Sequence, residues 1–513
     1  MQNFLCIHAH FYQPPRENPW TGEIDLQESA APFHDWNERI TRESYGPNAN
    51  ARTLLPNGDE LRVNLYERIS FNFGPTLLSW MEQHAPDVYS CILKADVVSR
   101  ERNGGHGNAI AQSYNHIIMP LANRRDKVTQ VRWGIRDFEH RFGRTPEGMW
   151  LAEAAADTAT LEALAEEGVR FTVLAPRQAH RVRKRGGKQW REVHDRIDPT
   201  RAYLCPLPSG REITIFFYDG PISQAIAFEK LLDNGERFAD RLAGGFNPNR
   251  RWHQLVNIAT DGETYGHHHK FGEMALAVAL QQIEDRKIAK VTNYGAFLDA
   301  NPPSHEVEIY ENSSWSCVHG VERWRADCSC KTGGDAGWSQ QWRSPLRSGL
   351  DTLRDRLAEL HDQKGRLYFR DPWEARNDYI NILLKRSPQT MWTFMERHAT
   401  RPLNDEEHAA ALTMLEIQRN AMLMYTSCGW FFDEISGLET VQVIRYAARA
   451  IQLAEELFKV SLEREFVTWL GRARSNLAEF KDGAHIYNEF IKQHALPRRR
   501  KPRLIVNALL KAA

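Results

Sequence analysis

Short apolar runs separated by helix-length amphipathic stretches fill the first three hundred residues, and this alternation constrains the fold more than any other feature. FLCIHAH (4–10), GMWLAE (148–153), FTVLAP (171–176), EITIFFYDG (212–220) and LVNIAT (255–260) each read as a buried strand. Between Glu153 and Phe171, AAADTATLEALAEEGVR spaces its apolar residues for a helix and meets a stop at Gly168. Repeated strand-helix-strand units of this kind predict an α/β fold with parallel strands. Residues 177–203 are basic and lack a long apolar run, which predicts an excursion from the core with a solvated charged face. From about residue 340 the strand signals stop and helical ones take over, in SPLRSGLDTLRDRLAELHDQ, EEHAAALTMLEIQRNAMLMYT and ETVQVIRYAARAIQLAEELFKV. A chain of 513 residues is long for one domain. The expected division is a catalytic α/β unit over 1–300 and a helical domain over 301–513 that contributes aromatic residues to the site.

Charge narrows the function classes. Lys+Arg and Asp+Glu both total 66, which removes the electrostatic case for nucleic acid or an anionic membrane as main partner. The basic end, PRRRKPRLIVNALLKAA, is one short cluster on a neutral chain and reads as an exposed tail. Seven cysteines, odd in number and mostly scattered, argue for a reducing compartment. MQNFLCIHAHFY shows no signal-peptide pattern, and no apolar run approaches the roughly 18 residues that span a bilayer. The expectation is a soluble cytoplasmic protein.

In a βα barrel, reacting groups sit at the C-terminal strand ends, so polar residues that follow the apolar runs are the candidates. His8 and His10 share one face of the first strand by period-two alternation. They can bind zinc or line a polar site as neutral imidazoles. Glu153 ends GMWLAE, where its competing reading is a helix N-terminal acid. Asp261 and Glu263 follow LVNIAT in DGETYGHHH, where Asp-Gly is also a common turn pair. Two carboxylates on separate strands meeting at one rim are what glycosidic cleavage requires, about 5–5.5 Å apart in a retaining enzyme. One forms the glycosyl-enzyme bond and the other exchanges the proton.

These residues resemble glycoside hydrolase family 57. HAHFYQPPRENPW, GHGNAIAQSYNHIIMP (105–120), GMWLAE, DGETYGHHH and ENSSWSCVHGVERW (311–324) with GWSQQW (337–342) look like its five motifs, in the family's order. The resemblance implies an incomplete (β/α)7 barrel followed by helices, and retaining action on α-glucan without a metal or other cofactor. It implies Glu153 as nucleophile and Asp261 as acid/base. It also implies sugar contacts from His10 and Trp315, with His8, Glu263 and His267 as further candidates. MLMYTSCGWFFDEISG (422–437) resembles the aromatic helix-end that closes such sites, which makes Trp430 a candidate platform. The C-terminal half resembles a helical domain of undefined role in one branch of the family.

Other readings stay open on sequence. A metal-dependent polysaccharide deacetylase would use His8, His10 and His116 as ligands, and a non-catalytic glucan-binding protein would keep the cleft without turnover. Cys317, Cys328 and Cys330, with His319 nearby, are plausible zinc ligands, but their spacing lacks a CxxC knuckle. The expectation is therefore buried or free thiols and no metal.

Overall fold

The computed structural model describes residues 1–54 and 58–495. Seven strands organise the N-terminal part: β1 (Asn3–Phe11), β2 (Ser70–Phe73), β3 (Ala111–Gln112), β4 (Met149–Trp150), β5 (Phe171–Leu174), β6 (Glu212–Phe217) and β7 (Gln254–Asp261). β1 lies between β7 and β2, parallel to both, in a register that sets His10 beside Asp261 on one side and Asn72 on the other. β3 and β4 pair in parallel, as do β5 and β6. Single parallel bridges, Phe71 to Ala109 and Gly148 to Phe171, link β2 to the β3 segment and the β4 segment to β5. The Asp219 N–H donates to the Asn257 carbonyl at 2.7 Å, tying the end of β6 to β7.

Helices follow these strands. Thr158–Glu166 is capped by Asp157, whose side chain accepts from the Thr160 N–H, and Gly272–Asp285 follows β7. Because strand side chains alternate, one face collects Phe4 and Cys6 of β1, Trp150, Phe171, Val173, Phe216, Leu255 and Ala259 into a single buried core with Tyr294 and Phe297. His10 and Asp261 stand at the C-terminal ends of β1 and β7.

The basic stretch 177–203 is not a loose excursion. Ala179–Lys184, Arg191–Glu192 and Ala202–Pro206 are strands, and with His305–Ile309 they extend the sheet beyond β6. In Ala179–Lys184 charge pairing replaces an apolar run. Arg181 and Arg183 meet Glu308 and Glu306 across the strand pair, both guanidiniums cover the Trp190 ring, and only Val182 between them is buried.

The chain forms two compact units. The first comprises Met1–Gln13, Leu26–Tyr114 and Phe138–Ser316. The second takes Pro14–Asp25, Asn115–Asp137 and the chain from Cys317. Among the described residues no strand follows Ile309. The second unit is built on Arg343–Gly365, Asp405–Leu423 and Leu438–Phe458, the middle one opened by a capping box of Asn404 and Glu407. A cut at residue 300 does not capture its two early segments, which are held by side chains distant in sequence. Arg376 pairs with Asp126 at 2.7 Å, the Trp133 indole donates to the Asn377 carbonyl, and Gln442 donates to the Glu17 carbonyl. The basic end, 497–513, lies outside the described residues. No helix among the described residues is long and apolar enough to cross a membrane.

Candidate active site

The register of β1 fixes the floor of the site. His8 is fully buried, with Nδ1 on the Ser70 hydroxyl at 3.0 Å and Nε2 on the Asn72 Oδ1 at 3.1 Å. Asn72 donates through Nδ2 to His10 Nδ1 at 2.9 Å and to Gln112 Oε1 at 2.8 Å. With the Asn72 amide in this orientation, His8 carries its proton on Nε2, and His10 carries its proton on Nε2 because Nδ1 accepts. Burial lowers both imidazoles to about 3, so both are neutral at ordinary pH. Both rings stack on Trp150, at 4.9 and 5.0 Å. With both nitrogens of His8 engaged, the ligand set His8, His10 and His116 does not form. Among the described residues the one group of His, Cys, Asp and Glu close enough to share an ion lies elsewhere.

Glu153 stands three residues past Trp150 in a turn held in the left-handed region, with φ of 57° at Glu153 and 48° at Ala154. Such geometry costs about 1 kcal/mol or more for each side-chain-bearing residue and persists where surrounding contacts enforce it. Here the enforcement is a short antiparallel pairing with the segment 313–316. Ala156 and Ser313 exchange main-chain hydrogen bonds, and the Trp315 N–H donates to the Glu153 carbonyl at 2.9 Å. The same segment supplies two donors to the carboxylate: Trp315 Nε1 reaches Glu153 Oε2 at 3.1 Å, and the Ser316 hydroxyl donates to the same oxygen. Arg177 anchors the segment through the Ser314 carbonyl, and Gln178 holds the Ala154 carbonyl. Glu153 is not the helix N-terminal acid, because Asp157 occupies that position.

Asp261 closes β7 level with His10. Gly262 follows because a Cβ there would lie 2.2 Å from the Phe11 ring, so the glycine of this pair serves close packing. Asp261 is exposed, yet the protein around it, followed by the charges of Glu263 and Glu153, holds its carboxyl well above the usual carboxylate range. A side chain can be exposed and still desolvated where the protein around it displaces part of its bulk water. Glu263 is buried. Burial raises it to about 7 against the pull of the Tyr45 hydroxyl at 2.5 Å and the Tyr12 N–H at 3.0 Å, both on Oε1.

Trp315 is half-buried, edge-on to His10, Trp150 and Tyr218. Tyr218, raised by burial and in the field of Asp261, belongs to this cluster. Sequence reasoning missed it, although it is the first polar residue after the β6 run and the strand-end rule would have found it. Ser316, Asn72, Gln112 and Tyr45 were also missed. His267 pairs with Glu43 and packs against Trp36. Trp430 belongs to the second unit, 1% exposed, with its ring parallel to Tyr425 at 6.4 Å. A cavity of about 670 Å³ lined by Arg68, Arg102, Asn108 and Lys290 opens near the start of β1, and neither Glu153 nor Asp261 lines it.

The profile described as Glycosyl hydrolase family 57 matches residues 38–310, more than half of the chain, and a domain of unknown function, DUF3536, matches 338–501. Among curated proteins, Alpha-amylase 1 of Dictyoglomus thermophilum is 28% identical over 106 residues, 21% of this chain and 15% of that protein's length. Among solved structures, an exo-type maltose-forming amylase from Pyrococcus sp. ST04 is 16% identical with a TM-score of 0.69, over 99% of this chain and 94% of the other. A branching enzyme from Pyrococcus horikoshii is 16% identical with a TM-score of 0.57, over 93% of each chain. At these identities the structural likeness concerns the fold.

Proposed function

Since the chain belongs to glycosyl hydrolase family 57, we propose that it is a retaining enzyme acting on α-glucan through a covalent glycosyl-enzyme intermediate, with Glu153 as nucleophile and Asp261 as acid/base. The observation that carries the proposal is the contrast between the two carboxyls. Glu153 is aimed by a constrained turn and by two donors on one oxygen, as an attacking carboxylate must be. Asp261 is held toward its protonated form, as a group that must protonate a leaving oxygen requires. In the first step Glu153 bonds to the anomeric carbon while Asp261 delivers its proton to the departing oxygen. In the second, ionised Asp261 takes a proton from water or a sugar hydroxyl, which displaces Glu153.

The strand sequence β7–β1–β2–β3–β4–β5–β6, all parallel, supports an incomplete (β/α)7 barrel as the frame of this site, with the first unit catalytic. Neutral His10, with His8 behind it, and Trp315 form the proposed sugar-binding wall, to which Glu263 and His267 are assigned as further contacts; Trp430, packed at 1% exposure in the second unit, is not assigned to it. Seven free cysteines support a cytoplasmic setting.

The test is a product profile with maltoheptaose and amylose, read by chromatography and iodine staining, with Glu153→Gln as control. Shorter sugars alone mean hydrolysis, and shorter with longer sugars mean transfer. No change beside active control enzymes, or turnover by the Glu153→Gln protein, overturns the proposal.

A further inference from the structure

A second cluster of chemically able side chains lies in the second unit. Cys317, His319, Cys328 and Cys330 each offer one ligand atom, and all four atoms lie within 4.8 Å of one another. In sequence they form two pairs, Cys-x-His and Cys-x-Cys, without a CxxC knuckle. The fold supplies what the spacing lacks. Ser329, between the paired thiols, takes a left-handed φ of 62°, and Gly320 turns the chain after His319 with φ of 79°.

Two of the separations match the edges of a zinc tetrahedron. Zinc holds thiolate sulfur at about 2.3 Å and imidazole nitrogen at about 2.0–2.1 Å in a tetrahedron, whose edges are then about 3.8 Å between sulfurs and about 3.5 Å between sulfur and nitrogen. The Cys317 and Cys330 sulfurs are 3.9 Å apart, and the Cys330 sulfur is 3.5 Å from His319 Nδ1.

The surroundings suit a thiolate site. Main-chain N–H groups of His319 and Arg323 point at the Cys317 sulfur, and that of Val318 at the Cys330 sulfur. Arg343, fully buried, places Nη1 3.6 Å from the Cys328 sulfur and is itself held by Gln340 Oε1 at 2.7 Å. Gln340 in turn donates to the Cys330 carbonyl at 2.9 Å and to Asp433 at 2.6 Å. Three thiolates and one divalent ion carry one net negative charge and the buried Asp433 carboxylate beside Arg343 another, which the two buried guanidiniums of Arg343 and Arg323 offset.

We propose that Cys317, His319, Cys328 and Cys330 bind one zinc ion in a closed structural site. Four protein ligands leave no open position for a water or substrate, so the ion's role is to fix the segment from Cys317 to Gln340 and not to activate a nucleophile. Binding displaces the thiol protons to solvent and forms three zinc–sulfur bonds and one zinc–nitrogen bond, with no change of oxidation state.

The test uses the full chain without a histidine tag, purified from zinc-supplemented culture. Elemental analysis is expected to give about one zinc per chain, kept in Glu153→Gln and lost in Cys328→Ser and Cys330→Ser. Because those variants can fail for want of the ion, the wild type carries a second readout. A mercurial reagent should release that zinc to a chromogenic chelator as the thiols react, and cobalt exchanged into the site should show thiolate-to-cobalt charge-transfer bands. Zinc-free wild type, zinc retained in both cysteine variants, or a cobalt spectrum without thiolate bands would overturn the assignment. None of these readouts depends on glucan turnover.

Discussion

Glu263→Gln separates the cost of the carboxyl cluster from its use. Glu263 is 6% exposed, and burial moves it from 4.5 to about 7. A carboxyl raised in the folded state adds stability that is complete below pH 4.5 and is lost as pH rises through about 7, because the unfolded chain releases the proton first. At about 1.4 kcal/mol for each pH unit of displacement, the loss is under about 1 kcal/mol at pH 5 and about 3 kcal/mol at pH 8.5. Glutamine cannot ionise, and its Oε1 can still accept from Tyr12 and Tyr45, which both bond that oxygen in the wild type. The variant should therefore nearly match the wild type at pH 5 and exceed it by about 2–3 kcal/mol at pH 8.5 in denaturant unfolding followed by tryptophan fluorescence. Activity supplies a second readout. The Glu263 charge is the larger of the two that raise Asp261, so its removal should move the alkaline limb of kcat/KM to lower pH. A stability difference independent of pH would refute the reasoning.

The two donors on Glu153 Oε2 should behave as partial substitutes. Trp315→Phe and Ser316→Ala should each lower kcat/KM by about tenfold, and the double variant should lose more than the product, since hydrogen bonds to charged groups are worth about 1.5–3 kcal/mol; a double variant within threefold of wild type would remove this role. Asp261→Asn should abolish turnover of maltoheptaose yet retain the first step on α-maltosyl fluoride, whose leaving group needs no proton, whereas Glu153→Gln should lose both. Equal loss on both substrates in Asp261→Asn would count against its acid role.

Much of the first unit is legible because its signals are local. An apolar run followed by a polar residue marks a strand and its active end, and that rule alone reaches His10, Glu153 and Asp261. It fails where the determining partner is remote. The strand Ala179–Lys184 carries no apolar run, since Glu306 and Glu308, more than a hundred residues on, neutralise Arg183 and Arg181. The helical unit borrows Pro14–Asp25 and Asn115–Asp137 for the same kind of reason, as the need for Asp126 is visible only from Arg376. The left-handed turn at Glu153 is illegible in a stretch of alanines, because the force that imposes it comes from Ser313 to Ser316. The Cys317 cluster is the sharpest instance. Its spacing argues against a metal under the knuckle rule, but that rule assumes a two-residue turn between ligands. A left-handed residue between thiols two positions apart, with His319 folded back on them, brings four ligand atoms together without a knuckle.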